Sequence, residues 1–163
     1  MQSPWPSHGR FTFSACGVGA ALGAAEWFGQ ESGTITRVAN ALGGTVSLAE
    51  QDYVATEFAD AAGELEMARL LIERRSAEAA ELARQHVLPD ERLLALQHRD
   101  NALVARVALR EVNRIHALVG AKAGFPEHPV SRAKRDAELV AAHVTLNWRQ
   151  ASVRYMASVG EER

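Results

Sequence analysis

Toward the end of the chain, Arg132, Asp136, His143, Asn147 and Gln150 follow one another at steps of three, four or seven residues. On a continuous helix those steps share one face, so a cation, a carboxylate, an imidazole and two amides would stand in a row beside an apolar stripe. A histidine with an ordinary pKa near 6.5 gives or takes a proton at neutral pH, so His143 is the candidate acid or base and Asn147 its candidate companion. The same row also fits a solvated face on which Arg132 and Asp136 form an i,i+4 pair worth roughly 0.2–0.5 kcal/mol. The residues alone leave both readings open.

Other chemistries find less support. A carboxylate-bridged metal bundle needs a glutamate three residues before a histidine on two helices. None of His86, His98, His116, His128 or His143 has one. The single Cys16 can build neither a thiolate metal site nor an intrachain disulfide, so no metal is expected. Gly17, Gly19 and Gly23 have the spacing G-x-G-x-x-x-G with no β-branched run ahead of them, which argues against a phosphate-binding loop and for a closely packed helix. No G-x-S-x-G elbow is present for a serine hydrolase. His98 and Asp100 lie too close together to share a helix face, and His116 sits beside an apolar stripe, as partly buried structural histidines commonly do.

The elements that must position these residues read as helices. Residues 1–10, with two prolines and no periodic pattern, form an irregular leader, and residues 11–160 form one helical domain. A first helix spans about 11–30, with Phe13, Gly17, Ala20, Ala21, Ala24, Trp27 and Phe28 at helical spacing. Ser47-Leu-Ala-Glu50 is a capping box opening a long second helix with the stripe Val54, Phe58, Ala61, Leu65, Ala68, Ile72, Ala79 and Leu82. Pro89 ends it and Asp90 caps a third helix over about 91–119. That helix is apolar on two sides, through Leu96, Leu103 and Val107 and through Val104, Ala108, Val112, Ile115 and Val119, so more than one neighbour should cover it. A last helix over about 130–159 carries Ala133, Ala137, Val140, Val144, Trp148, Ala151 and Tyr155. No segment keeps strand alternation, so the prediction is all-α: a four-helix up-and-down bundle.

Composition fits that prediction. A chain of 163 residues with 47% hydrophobic and 23% charged residues can bury a sizeable core. The net charge of −2, with both signs interspersed, gives no footprint for nucleic acid or an anionic membrane. The uncharged run over residues 11–25 is shorter than the roughly 20 residues a membrane span needs. Thiol usage points to no oxidising compartment, which leaves a cytoplasmic location as the default expectation.

The segment Gly124-Phe-Pro-Glu-His-Pro-Val-Ser-Arg-Ala-Lys-Arg-Asp136, followed by Ala-Glu-Leu-Val-Ala-Ala-His-Val-Thr-Leu-Asn-Trp148, resembles the end of the C-terminal helical domain of acyl-CoA dehydrogenase-like flavoproteins. The His and Asn-Trp that follow the Arg…Arg-Asp motif resemble the flavin-dependent monooxygenases that hydroxylate aromatic or polycyclic phenols. Gly17–Phe28 and the segment 59–71 resemble the first two helices of the same domain. The resemblance implies His143 beside the flavin and the phenol, helping to ionise the substrate or to steady the flavin hydroperoxide, with reduced FMN or FAD as cofactor, O2 as co-substrate and a flavin reductase as partner. It implies that Arg132, Arg135 and Asp136 form an ion-pair network near the cofactor, and it makes Arg10 a further flavin-contacting candidate. Acyl-CoA dehydrogenases use a glutamate where this sequence has Ala-Ala-His-Val-Thr, which argues against acyl-CoA oxidation.

Family enzymes also have an N-terminal helical domain and a middle β-domain, which this sequence lacks. Three expectations follow: a domain or truncated form of a monooxygenase, a subunit completed by a partner chain, or a non-catalytic helical oligomerisation or binding module. A homo-oligomer, dimer or tetramer, is expected, with the two-sided third helix available for the contact.

Overall fold

The computed structural model describes residues 11–38 and 43–160, so the leader and Arg10 lie outside the described part. Five helices carry it: α1 (Thr12–Glu31), α2 (Asp52–Arg84), α3 (Glu91–Val119), α4 (Pro129–Ala141) and α5 (Trp148–Gly160). α3 is the axis of the bundle and packs against all four of the others. The side formed by Val104, Ala108, Val112, Ile115 and Val119 is buried within the chain, whereas Leu96, Leu103 and Val107 on the other side are only partly covered.

Patterning explains most of this arrangement. Val54, Ala61, Leu65, Ala68, Ile72 and Ala79 of the α2 stripe are buried, as are Val104, Ala108, Val112, Ile115 and Val119 of α3. Each larger side chain so covered contributes about 1.5–3 kcal/mol. Asp90 begins α3 as foreseen, its carboxylate accepting from the Leu93 N–H at 2.7 Å. Small residues bring α1 against α4. A Cβ on Gly17 would lie 3.0 Å from Val140 Cγ1, so glycine is what lets the helices approach, whereas Gly19 and Gly23 face open space and serve no such purpose.

The capping box is present, but in a different place in the architecture. The Ser47 N–H donates to Glu50 Oε2 at 3.0 Å and caps a 3-10 turn, Leu48–Glu50; Gln51 is extended and α2 starts after it. Ahead of that turn the chain forms a small antiparallel hairpin that alternation did not foretell. β1 (Thr36–Val38) pairs with β2 (Thr45–Ser47) in the register Thr36↔Ser47, Arg37↔Val46 and Val38↔Thr45. Strands of three residues are too short to show a period; only their β-branched content marks them. The hairpin delivers the Arg37 guanidinium to the carbonyls of Ala117 and Leu118, where α3 ends at Gly120 with φ +75°. A cation there meets the negative end of the helix dipole.

The largest departure is in the last predicted helix, which is two. α4 stops at Ala141, His143 and Asn147 are extended, and a 3-10 turn, Val144–Leu146, lies between them. Two caps make the break. The His143 ring accepts from the Thr145 N–H and the Asn147 side chain accepts from the Gln150 N–H at 3.1 Å, while Val144 and Thr145 are β-branched and poor at continuing a helix. The bend turns Leu146, 2% exposed, into the core, and α5 then packs on α3.

Candidate functional site

His143 stands at the corner where α4 gives way to α5. Its Nδ1 lies 2.8 Å from Thr145 Oγ1 and 3.3 Å from the Thr145 backbone nitrogen. A backbone N–H can only donate, so this geometry requires a lone pair on Nδ1 and places the ring proton of the neutral imidazole on Nε2. Among the described residues Nε2 has no hydrogen-bond partner. Phe13, from the first turn of α1, stacks on the ring at 4.1 Å between centroids and 22° between planes. Phe13, one of the apolar positions at helical spacing on the first helix, is thus half-exposed and serves the corner.

The break disperses the predicted polar row. Arg132 and Asp136 remain one helical turn apart on the outward face of α4, exposed, and no ion pair joins them among the described residues. Arg135 is also exposed and donates to the Pro126 carbonyl at 2.8 Å, tying α4 to the turn before it. Among the described residues the expected Arg132–Arg135–Asp136 ion-pair network is not formed; the ion pair on α4 there is Lys134–Glu138, at 3.8 Å. Asn147 and Gln150 sit on the far side of the break, where Asn147 caps α5. They line an open surface groove with Arg149, Val153 and Arg154. Arg154 is held by Glu91 at 2.7 Å, and Trp148 lies under the Arg106 guanidinium at 4.6 Å.

Behind the corner the polar contacts are internal. Buried Ser14 bonds buried Asn101 across the α1–α3 contact. Arg75 donates to Asp100 at 2.6 Å, and the two side chains are 11% and 1% exposed. Burial opposes the charge on Arg75, but its bonds to Asp100 and Glu78 outweigh that and hold the guanidinium above its usual range. At the opposite end of α4, His128 caps the helix through Nδ1 toward the Val130 N–H at 3.3 Å, with Trp27 packed edge-on at 4.5 Å. Burial, and then the proximity of His116, push the His128 pKa below the ordinary value. Sequence reasoning missed Phe13, Thr145, Arg106 and the Ser14–Asn101 contact. Only Thr145, two residues past His143, carried a signal, because a histidine followed by a hydroxyl residue at that spacing can build a local cap.

Among the described residues no group of three His, Cys, Asp or Glu side chains gathers as a metal site, and no helix is long and apolar enough to cross a membrane. The corner is an exposed edge with an imidazole and an aromatic face. An edge of this kind can hydrogen-bond and stack on one side of a planar ligand but cannot enclose it.

Three solved structures share this helical arrangement. They are the XiaF protein of Streptomyces sp. in complex with FADH2 and glycerol (TM-score 0.86, 16% identity, covering 93% of this chain and 38% of that one), the 3-HSA hydroxylase of Rhodococcus sp. RHA1 (0.81, 23%, 98% and 40%) and the HsaA monooxygenase of M. tuberculosis (0.80, 23%, 97% and 40%). At those identities they establish the fold. Residues 11–148 match the model of the family described as acyl-CoA dehydrogenase, C-terminal domain, and the chain belongs to that family. It is also similar to the oxygenase component of the FADH2-dependent resorcinol hydroxylase of Rhizobium sp. (strain MTP-10005), 32% identical over 142 residues. The match covers 83% of this chain and 34% of that protein, so the chain spans about a third of the length of this relative.

Proposed function

We propose that this bundle is the C-terminal helical part of a flavin-dependent monooxygenase acting on a phenolic compound, with His143 as the residue that meets the substrate oxygen. The observation that carries the reading is the setting of His143: Nδ1 is engaged by Thr145, and Nε2 has no partner among the described residues. A neutral imidazole N–H at an exposed corner donates a hydrogen bond to a phenol oxygen and favours its ionised form. Reduced flavin, when bound, supplies the electrons that activate O2. The FADH2 dependence of the Rhizobium relative favours FAD over FMN, and its being an oxygenase component favours a separate flavin reductase as the source of reduced cofactor. Arg132, exposed and without an ion-pair partner among the described residues, is the cation offered to the flavin's anionic groups from the far end of α4, where Arg135 ties the helix to the turn before it; Asn147 borders the His143 corner. The walls that the bundle does not build come, in this reading, from polypeptide outside it.

The test joins residues 11–160 to the part of the Rhizobium relative that lies outside the matched region, and measures FAD binding and FADH2-dependent hydroxylation of simple phenols. Hydroxylation that falls about 10²–10⁴-fold with His143→Gln is the expected result. A fusion that folds and binds FAD but turns over equally well without His143 refutes the assignment. A folded fusion that binds no flavin and self-associates through the bundle would instead identify a helical assembly module.

A further inference from the structure

A histidine that must donate from Nε2 has to be prevented from carrying its proton on Nδ1 and from turning its ring. We propose that Thr145 and Phe13 are positioning residues for His143, Thr145 fixing the tautomer and Phe13 the plane of the ring. The catalytic consequence rests on the proposed function; the positioning itself does not.

A backbone N–H, which can only donate, and a hydroxyl of the same residue converge on Nδ1. The Thr145 hydroxyl is 2.8 Å away and the Thr145 N–H 3.3 Å away, so a proton on Nδ1 would face a backbone N–H that cannot accept it. The backbone donor is fixed by the 3-10 turn Val144–Leu146, which Leu146 anchors by its burial. The hydroxyl belongs to a β-branched side chain with few rotamers, so its ordering costs little entropy. Phe13 lies nearly parallel to the imidazole and approaches from a different element, α1. α1 is held close to α4 by the Gly17–Val140 contact, one turn from Phe13 and three residues before His143. The ring is therefore gripped at Nδ1 by its own loop and on one face by a neighbouring helix, which leaves Nε2–H as the group directed away from both.

The test is a long-range proton–nitrogen correlation on the ¹⁵N-histidine-labelled chain, without flavin, above the pH at which the imidazole is protonated. His143 signals are assigned by their loss in His143→Gln. The expected pattern is a protonated Nε2 in the native chain. Thr145→Val, which keeps the side-chain shape, should lower the ratio of Nε2–H to Nδ1–H tautomer by about three- to tenfold, the equivalent of one hydrogen bond of ordinary net strength. Thr145→Ser should restore it. Phe13→Leu should leave the tautomer in place but move the His143 ring-proton shifts, because the aromatic face is gone. A proton found on Nδ1 in the native chain overturns the proposal, as does an unchanged tautomer ratio in a Thr145→Val chain whose helical circular dichroism and melting are intact. If the tautomer pattern is as expected and the phenol hydroxylation test fails, the positioning stands and the proposed function falls.

Discussion

Gly17→Ala is the substitution whose sign depends most directly on the packing seen here. An alanine Cβ would sit 3.0 Å from Val140 Cγ1 and 3.4 Å from Val140 Cβ. Carbon atoms prefer about 3.5–4.0 Å, so the first distance is a clash and the second is close to ordinary contact. Replacing a mid-helix glycine gains about 1 kcal/mol of helix propensity. Overpacking of this kind costs about 1–3 kcal/mol. With the middle of that range, Gly17→Ala destabilises by about 1 kcal/mol. Removing the Val140 methyls reverses the sign: in a Val140→Ala background only the 3.4 Å contact remains, and Gly17→Ala should stabilise by about 1 kcal/mol. The coupling between the two sites is then about 2 kcal/mol. Urea unfolding followed by helical circular dichroism on the four members of the cycle measures it. For a domain of this size each 1 kcal/mol corresponds to a Tm change of about 2–4 °C. Equal effects of Gly17→Ala in the two backgrounds would refute the claim that glycine is there for the α1–α4 approach.

Two further outcomes follow from buried and capping charges. Asp100→Ala should cost about 1.5–3 kcal/mol in the same unfolding assay, because it removes a buried charge-assisted bond and leaves Arg75 only its pair to Glu78, whereas Arg69→Ala should cost much less although it breaks pairs to Glu66 and Glu73, because those pairs are largely solvent-exposed. His128 has its folded-state pKa lowered by burial and by His116, so the unfolded chain takes up the proton first; stability is complete above the ordinary histidine value of about 6.5 and falls as pH drops through it toward the lower folded value. His128→Asn, which keeps an N-cap that does not titrate, should flatten that loss between about pH 7 and pH 5 in thermal melts, and an unflattened profile would show that His128 is not its source.

The sequence patterns that translated directly into structure were those with long periods. The stripes of α2 and α3 needed no partner to be recognised, since apolar side chains at helical spacing must be removed from water whichever helix covers them. Asp90 was legible for a similar reason: a cap acts on its own helix end. The Arg…Arg-Asp and His…Asn-Trp motifs placed the chain beside the correct family, and the match over residues 11–148 supports that assignment.

What the sequence could not reveal depends on elements far apart in the chain. Apolar positions at helical spacing run from Ala133 through Tyr155 without a glycine or proline, so the pattern reads as one helix. Only the need to bury Leu146 and then lay α5 along α3 makes the two side-chain caps at His143 and Asn147 worth forming. The same break turns a straight row of polar residues into a corner, and lets Phe13, some 130 positions earlier, close on the His143 ring. Sequence by itself determined which faces are apolar, where helices begin with strong caps and which residues can exchange protons, because those are properties of residue types at short spacing. Tertiary structure alone decided which ring stacks on His143, which glycine is a contact and which side of α3 is hidden, because each of those is fixed by a neighbour the local sequence does not contain.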